Sequence, residues 1–328
     1  MRWRGSGFPT AAAVAVVLLA AGCHGTGGAG TGASGSMQLT VAAVPGVSDA
    51  PLYLAQRQGL FTKAGLKVTI QPFTTAGAEL RALSNGSVQV ATTDYADFFY
   101  AASIDPNLEL LADGYDGAPN VMEVLTLPGS NLTSPEQLAG KTIGTPEPQE
   151  FKYDPSIPYS METLATQSVL LDDGVEPTQV NWTAMPAQNL VGALKDHRVD
   201  AIVVTEPYIY EAQSELGAIE VVDALSGGTA SLPLNGYFTT KSAGRADTDA
   251  LRTFRTVLEQ AQGDAGTGQT LRSVISQYAH VPVETADMIT LGTYPALPNV
   301  NGIQQVADLM FSFNMISQEL SVDQMMFR

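Results

Sequence analysis

From residue 38 onward, short β-type runs alternate with helical patterns, and no other feature narrows the fold of this chain so far. "LTVAAV" (39–44) reads as a strand. "APLYLAQRQGLF" (50–61) reads as a helix, with Gly59 placed as its C-cap. "LKVTIQPF" (66–73) is a strand, "AGAELRALSNG" (76–86) a helix closed by Asn-Gly, and "VQVAT" (88–92) a strand. "DYADFFYAAS" (94–103) and "LELLADG" (108–114) add a helix and a strand. Strands separated by helices of this length indicate a parallel sheet covered on both faces.

The pattern then restarts. "KTIGT" (141–145), "METLATQSVLLDDG" (161–174), "QVNWTAM" (179–185), "AQNLVGALKD" (187–196), "DAIVVT" (200–205), "EPYIYEAQSELG" (206–217) and "IEVVDA" (219–224) repeat it. "ALSNGSVQV" (82–90) and "ALKDHRVDA" (193–201) share Ala-Leu and a Val at equal spacing. These observations predict two lobes built alike: 38–124 with 235–328 as lobe one, and 125–234 as lobe two. "VMEVLTL" (121–127) and "LNGYFTT" (234–240) are the extended segments expected to cross between them. The tail is helical at 250–262, 270–279, 283–289 and 303–316. Its Met and Phe residues recur at helical spacing and read as core.

The only cysteine, Cys23, ends the apolar run "AAAVAVVLLAA" (11–21). One cysteine closes no intrachain disulfide. Arg2 and Arg4 precede the run, which has signal-peptide length and is too short to span a bilayer. With the small residues Ala20, Ala21 and Gly22 before Cys23, the segment resembles a bacterial lipoprotein signal, although Ala20 stands where such signals favour Leu. Residues 1–22 are therefore expected to be a signal peptide, Cys23 the lipidated N-terminus and 23–37 a flexible Gly/Ser tether. The alternative is an ordinary signal peptide cut nearby. "GTGGAG" (25–30) follows no strand and opens no helix, so it carries no nucleotide-binding meaning.

Without residues 1–22 the chain keeps 14 basic residues against 33 acidic ones. Such a surface repels nucleic acid and anionic membranes. No G-x-S-x-G elbow occurs, and His24, His197 and His280 are scattered without metal-ligand spacing. Enzyme activity, a metal and a cofactor are accordingly not expected.

"SDAPLYLAQRQGLFTKAGLKVTI" (48–70) resembles the opening of the sulfonate, nitrate, taurine and thiamine-precursor binding proteins of ABC importers. Its pieces are Ala50-Pro51, Gly59-Leu60-Phe61 and Gly65-Leu66-Lys67-Val68. "ALSNGSVQVAT" (82–92), "RVDAIVVTEPYIYEAQSELGA" (198–218) and "LSVDQMM" (320–326) resemble later parts of the same family. The resemblance implies an α/β, type II periplasmic-binding-protein fold of two doubly wound lobes. It also implies an extracytoplasmic receptor that closes on a small solute and works with an ABC permease and its ATPase. A monomer is expected, held to the cell membrane only by its lipid. A ligand-sensing lipoprotein not coupled to transport is the alternative. Fungal thiamine-pyrimidine synthases share the fold but carry a cysteine-rich run that is absent here.

By the same resemblance, Ser48 and Asp49 end the first strand of lobe one, and Thr93, Asp94 and Tyr95 its third. Thr145 ends the first strand of lobe two, Thr205 and Glu206 lie at a later strand–helix junction, and Asn235 and Tyr237 lie on the return crossing. Ser48, Thr93 and Thr205 could instead cap helices, and Glu206 could serve a helix dipole. Where sulfonate receptors have a short Gly/Ser turn, this chain has "PEPQEFKYDPSIPYS" (146–160), which carries Phe151, Tyr153, Tyr159 and Ser160. With Asp49, Asp94 and Glu206 and no Arg or Lys in the expected pocket, a neutral or cationic heteroaromatic such as a thiamine-precursor pyrimidine is favoured over a sulfonate, taurine or nitrate.

Overall fold

In a computed structural model of the protein, residues 37–146, 159–265, 268–279 and 281–328 are described. The ten strands are β1 (Met37–Ala43), β2 (Leu66–Pro72), β3 (Val90–Asp94), β4 (Leu108–Asp116), β5 (Met122–Thr126), β6 (Thr142–Pro146), β7 (Asn181–Met185), β8 (Ala201–Thr205), β9 (Ile219–Asp223) and β10 (Pro233–Thr240). They form two five-stranded sheets, ordered β2-β1-β3-β10-β4 and β7-β6-β8-β5-β9. β1, β2 and β3 run parallel, as do β6, β7 and β8.

The expected all-parallel pairing fails at one strand in each sheet. β10 is antiparallel to β3 and β4, and β5 is antiparallel to β8 and β9. The reason is where the chain enters. A strand arriving from the other lobe joins a sheet at the end where the parallel strands finish, and so must run back against them. The register shows this, with Asn235 opposite Asp94 and Met122 opposite Thr205.

β5 and β10 therefore lie inside sheets and do not themselves cross between lobes. Residues 122–124 pair in the second sheet and Pro233 in the first, which moves the expected boundaries at 124 and 235 by two or three residues. The crossings are 117–121 and 224–232, tied together where the Gly117 amide donates to the Leu232 carbonyl at 2.9 Å.

Strand alternation sets the layers. On β1, Leu39, Val41 and Ala43 pack with Tyr237, Phe254 and Leu258, while Ala42 packs with Tyr95, Phe98 and Phe238 on the other face. Phe61 stacks on Phe254 at 5.2 Å and Phe98 on Phe238 at 3.9 Å. In the C-terminal helix Val300–Ser312, Met310 is buried as core, whereas Phe311 stays 38% exposed. Gly59 takes φ 64° between the helices Ala50–Arg57 and Leu60–Lys63, the left-handed conformation that glycine permits without strain.

Candidate ligand-binding site

The carboxyl ends of the parallel strands of both sheets meet the first residues of β5 and β10, and a cleft opens there. This is where open α/β sheets bind ligands. The cleft holds two adjoining recesses of about 260 and 200 Å³ that share Asp94, Glu162 and Asn235. The larger is lined by Glu79, Thr92, Thr93, Asp97, Tyr159 and Ser160, among others. The smaller adds Ser48, Tyr115, Met122, Met161, Thr205 and Glu206. A wider groove of about 730 Å³ lies apart, between the edge strand β7 and Phe313. It takes no residue from the strand ends and has one carboxylate, Glu176, so it lacks the convergence of polar groups found in the cleft.

Among the expected site residues, Ser48, Thr93, Asp94, Tyr159, Ser160, Glu206 and Asn235 line the cleft. Tyr153 and Phe151 lie outside the described residues, as does Cys23. Asp49, Tyr95, Thr145 and Tyr237 do not line it. Asp49, on the 3-10 turn Val47–Asp49, is only 1% exposed, beneath the cleft floor. The Tyr95 ring packs against Phe99 and Phe238, and its hydroxyl donates to Asp113 at 2.8 Å. The Thr145 hydroxyl belongs to a buried trio with Thr163 (3.0 Å) and Ser160 (3.4 Å). Tyr237 is two residues deeper along β10 than Asn235, roughly 7 Å at strand rise, and ends in the core against Phe254.

The capping alternatives resolve unevenly. Asp94, not Thr93, caps the helix Tyr95–Ile104, accepting the Asp97 amide at 2.7 Å. Ser160 caps the helix Met161–Asp172, accepting the Thr163 amide at 3.1 Å. Neither Ser48 nor Thr205 caps a helix through its side chain. Glu206 accepts the Tyr210 amide at 3.1 Å, in the first turn of the helix Tyr208–Leu216, and the Thr290 amide at 2.9 Å. Thr290 precedes Gly292 and Thr293, which hydrogen-bond to β4, so Glu206 links the second sheet's lobe to a segment held on the first sheet.

Helix positions supply carboxylates that strand-end reasoning did not reach. Asp97 and Glu79 project from the first turns of their helices, and Glu162 is the second residue of the helix that Ser160 caps. Spacing offered a signal for one of them. A residue three beyond a helix cap shares its side of the helix, and Asp97 stands so to Asp94.

Burial pushes Asp94 up to about 7, with the charge of Glu162 adding to the rise and the Asp97 and Ala96 amides opposing it. Burial, then Asp94 and Glu162, holds Asp97 well above the usual carboxylate range. Glu79 is raised well above it by burial, Asp49 and Asp97. Burial also raises Glu162 and Glu206. Among the described residues, no Lys or Arg lines either recess. Arg272 comes near enough to lower Glu206, but it donates to the Ala286 and Ile289 carbonyls. No group of three His, Cys, Asp or Glu among the described residues could hold a metal ion.

Residues 47–267 match the family model described as NMT1/THI5 like. The chain belongs to this family. A Brachyspira hyodysenteriae protein, named as a candidate ABC transporter periplasmic binding protein, is 24% identical over 224 residues, 65% of this chain. The match spans about 60% of that relative's length. The alkanesulfonate-binding protein SsuA of Xanthomonas axonopodis pv. citri, bound to MOPS, superposes with a TM-score of 0.71 at 17% identity, covering 89% of this chain and 98% of that one. A Candida albicans protein, described as having the generic periplasmic binding protein structural fold, gives a TM-score of 0.66 at 17% identity, covering 88% and 95%. These likenesses establish the fold, and the NMT1/THI5-like chain has the two-lobed α/β architecture of periplasmic binding proteins.

Proposed function

We propose that the protein is the extracytoplasmic substrate-binding component of an ABC importer. It closes two lobes on a small nitrogen-bearing heteroaromatic, a thiamine-precursor-like pyrimidine being the favoured type, and passes it to a permease. Family membership supports the receptor role, and the relative from Brachyspira hyodysenteriae supports a permease partner. Lipid attachment through Cys23 would keep the receptor near that permease and raise its local concentration there. Closure follows if the ligand touches both lobes, because its differential affinity then favours the closed state.

The observation that carries the ligand class is the charge of the cleft. Asp94, Asp97, Glu79, Glu162 and Glu206 line it, and among the described residues no Lys or Arg does. A sulfonate or nitrate, already ionised, would find no counter-charge on this lining and would oppose the ionisation of every carboxyl around it. A ring nitrogen or exocyclic amine would find acceptors, and Tyr115, Met122 and Met161 would flank the ring. One face of Tyr159 is already covered by Tyr100, at 4.3 Å and 7°. The sulfonate reading rests on what the Xanthomonas protein binds. Thermal-shift screening of the purified protein decides between them. Aminopyrimidines or related heterocycles are expected to raise the melting temperature. A clear shift with taurine, an alkanesulfonate or nitrate, and none with the heterocycles, would overturn the proposal.

A further inference from the structure

We infer that the larger recess takes an organic cation, an ammonium or amidinium head, while the flat ring that carries it lies in the adjoining recess. This rests on the receptor reading above and adds the ligand's charge and its orientation. Glu79 lines the larger recess and is fully buried; neither carboxyl oxygen has a hydrogen bond of good geometry, and only the Val44 amide stands near enough to oppose its rise. The Thr93 hydroxyl lines the same space, 4% exposed, and is likewise unpartnered, while the Thr92 hydroxyl stands beside Asp49. Asp94, Asp97 and Glu162 complete the wall.

Carboxylates taken out of water without partners are strongly disfavoured unless they take up protons or meet a counter-charge. Every group on this wall accepts hydrogen bonds. An ammonium or amidinium has only donors to give, so it matches the wall in both charge and hydrogen bonding. A bare metal ion is a poorer occupant, since the carboxyl groups do not converge on a common point and the space is about 260 Å³. The neighbouring recess of about 200 Å³ has Tyr115, Met122, Met161 and Leu234 in its walls, which suits a six-membered ring. Asp94, Glu162 and Asn235 stand at the join, where the charged head would leave the ring.

The groups that face one another across the recess come from each element around it. Asp49 lies below on the turn after β1, Glu79 on the helix Ala76–Ser84, Asp94 and Asp97 at the start of the helix Tyr95–Ile104, and Glu162 on the helix Met161–Asp172. Tyr53, Tyr237 and Tyr278 neighbour Asp49, and Arg81 shares the helix of Glu79 outside the lining. Burial and mutual repulsion raise the Glu79, Asp94 and Asp97 carboxyls, Asp94 to about 7, and so favour their protonated forms. A cation favours their ionised forms, so its binding releases protons to the buffer, and its affinity must rise with pH.

Isothermal titration of the purified protein with benzamidine, its neutral isostere benzamide and the anionic benzenesulfonate tests this. Benzamidine is expected to bind at least tenfold more tightly than benzamide. Its affinity is expected to rise about tenfold per pH unit below about pH 7 for each proton released, with matching proton release seen by comparing phosphate and Tris buffers. Glu79→Gln and Asp97→Asn replace groups whose protonated forms burial favours. Each is expected to weaken benzamidine tenfold or more without lowering the melting temperature. Equal or tighter binding of benzamide, affinity for benzamidine that does not rise with pH, or no effect of both substitutions would overturn the inference. The pH profile of the unmodified protein serves even if a variant fails to fold. If neutral aminopyrimidines bind and benzamidine does not, the cation inference falls and the receptor reading stands. If only benzenesulfonate or an alkanesulfonate binds, the cation inference and the heteroaromatic preference both fall while the receptor role stands.

Discussion

Asp49→Asn separates a buried structural carboxyl from those that line the cleft. Asp49 is 1% exposed, its Oδ1 has no hydrogen-bond partner, and burial pushes its pKa from the ordinary 3.8 up to about 7. The sign follows from proton counts. Over this interval the folded protein holds a proton that the unfolded chain has released, so stability is greatest below the unfolded pKa and is lost as pH rises through the folded one. A shift of about three pKa units corresponds to about 4 kcal/mol once both states are ionised near pH 8, against about 2 kcal/mol near pH 5. Asparagine is neutral throughout and avoids this loss. Asp49→Asn is therefore expected to gain stability relative to the parent as pH rises. The advantage grows by about 2–3 kcal/mol between pH 5 and pH 8, roughly 5 °C in melting temperature for a chain of this size. Melts of both proteins by circular dichroism at the two pH values, at one ionic strength, measure it. Because Asp49 does not line the cleft, affinity for a neutral aminopyrimidine at pH 8 should stay within about threefold once stability is matched. A gap that does not change with pH, or a variant less stable than the parent at pH 8, would refute the reasoning.

Gly292→Ala is expected to destabilise the protein by about 1–3 kcal/mol or more, because its Cβ would collide with the Asp116 carbonyl and press on the Tyr115 ring; an unchanged melting temperature would count against that packing. Glu206→Gln leaves one acceptor for two amides, those of Tyr210 and Thr290, so a loss of about 1–3 kcal/mol is expected in denaturant titration; a change in ligand affinity with no loss of stability would make Glu206 a binding group rather than a strut. Cys23→Ser is expected to release the protein from the membrane fraction, and a variant that still sediments with membranes would remove the proposed anchor.

The order of strands and helices was legible because periodicity is local. β1 lies within two residues of its expected start, and the helix Ala50–Arg57 begins where the Ala-Pro signal puts it. The direction of β5 and β10 was not legible. It depends on which end of a sheet the chain enters, and no local pattern records that. The same split runs through the site. Asp94 and Glu206 could be read because strand ends mark the cleft. Tyr237 could not be excluded, because only burial depth along β10 distinguishes it from Asn235. Glu79 and Glu162 carry no local signal in the sequence beyond being acidic residues within helical segments. Their juxtaposition appears only when the helices fold against one recess, where among the described residues no Lys or Arg joins them.

The central claim is that the acidic cleft between the lobes selects nitrogen-bearing ligands over oxyanions. Calorimetric titration of the purified protein against an aminopyrimidine and an alkanesulfonate, in the same buffer near pH 7, tests it most directly. Saturable binding of the aminopyrimidine, weakened tenfold or more by Asp94→Asn, with no heat from the sulfonate, is the expected result. Saturable binding of the sulfonate with no binding of the aminopyrimidine would contradict it.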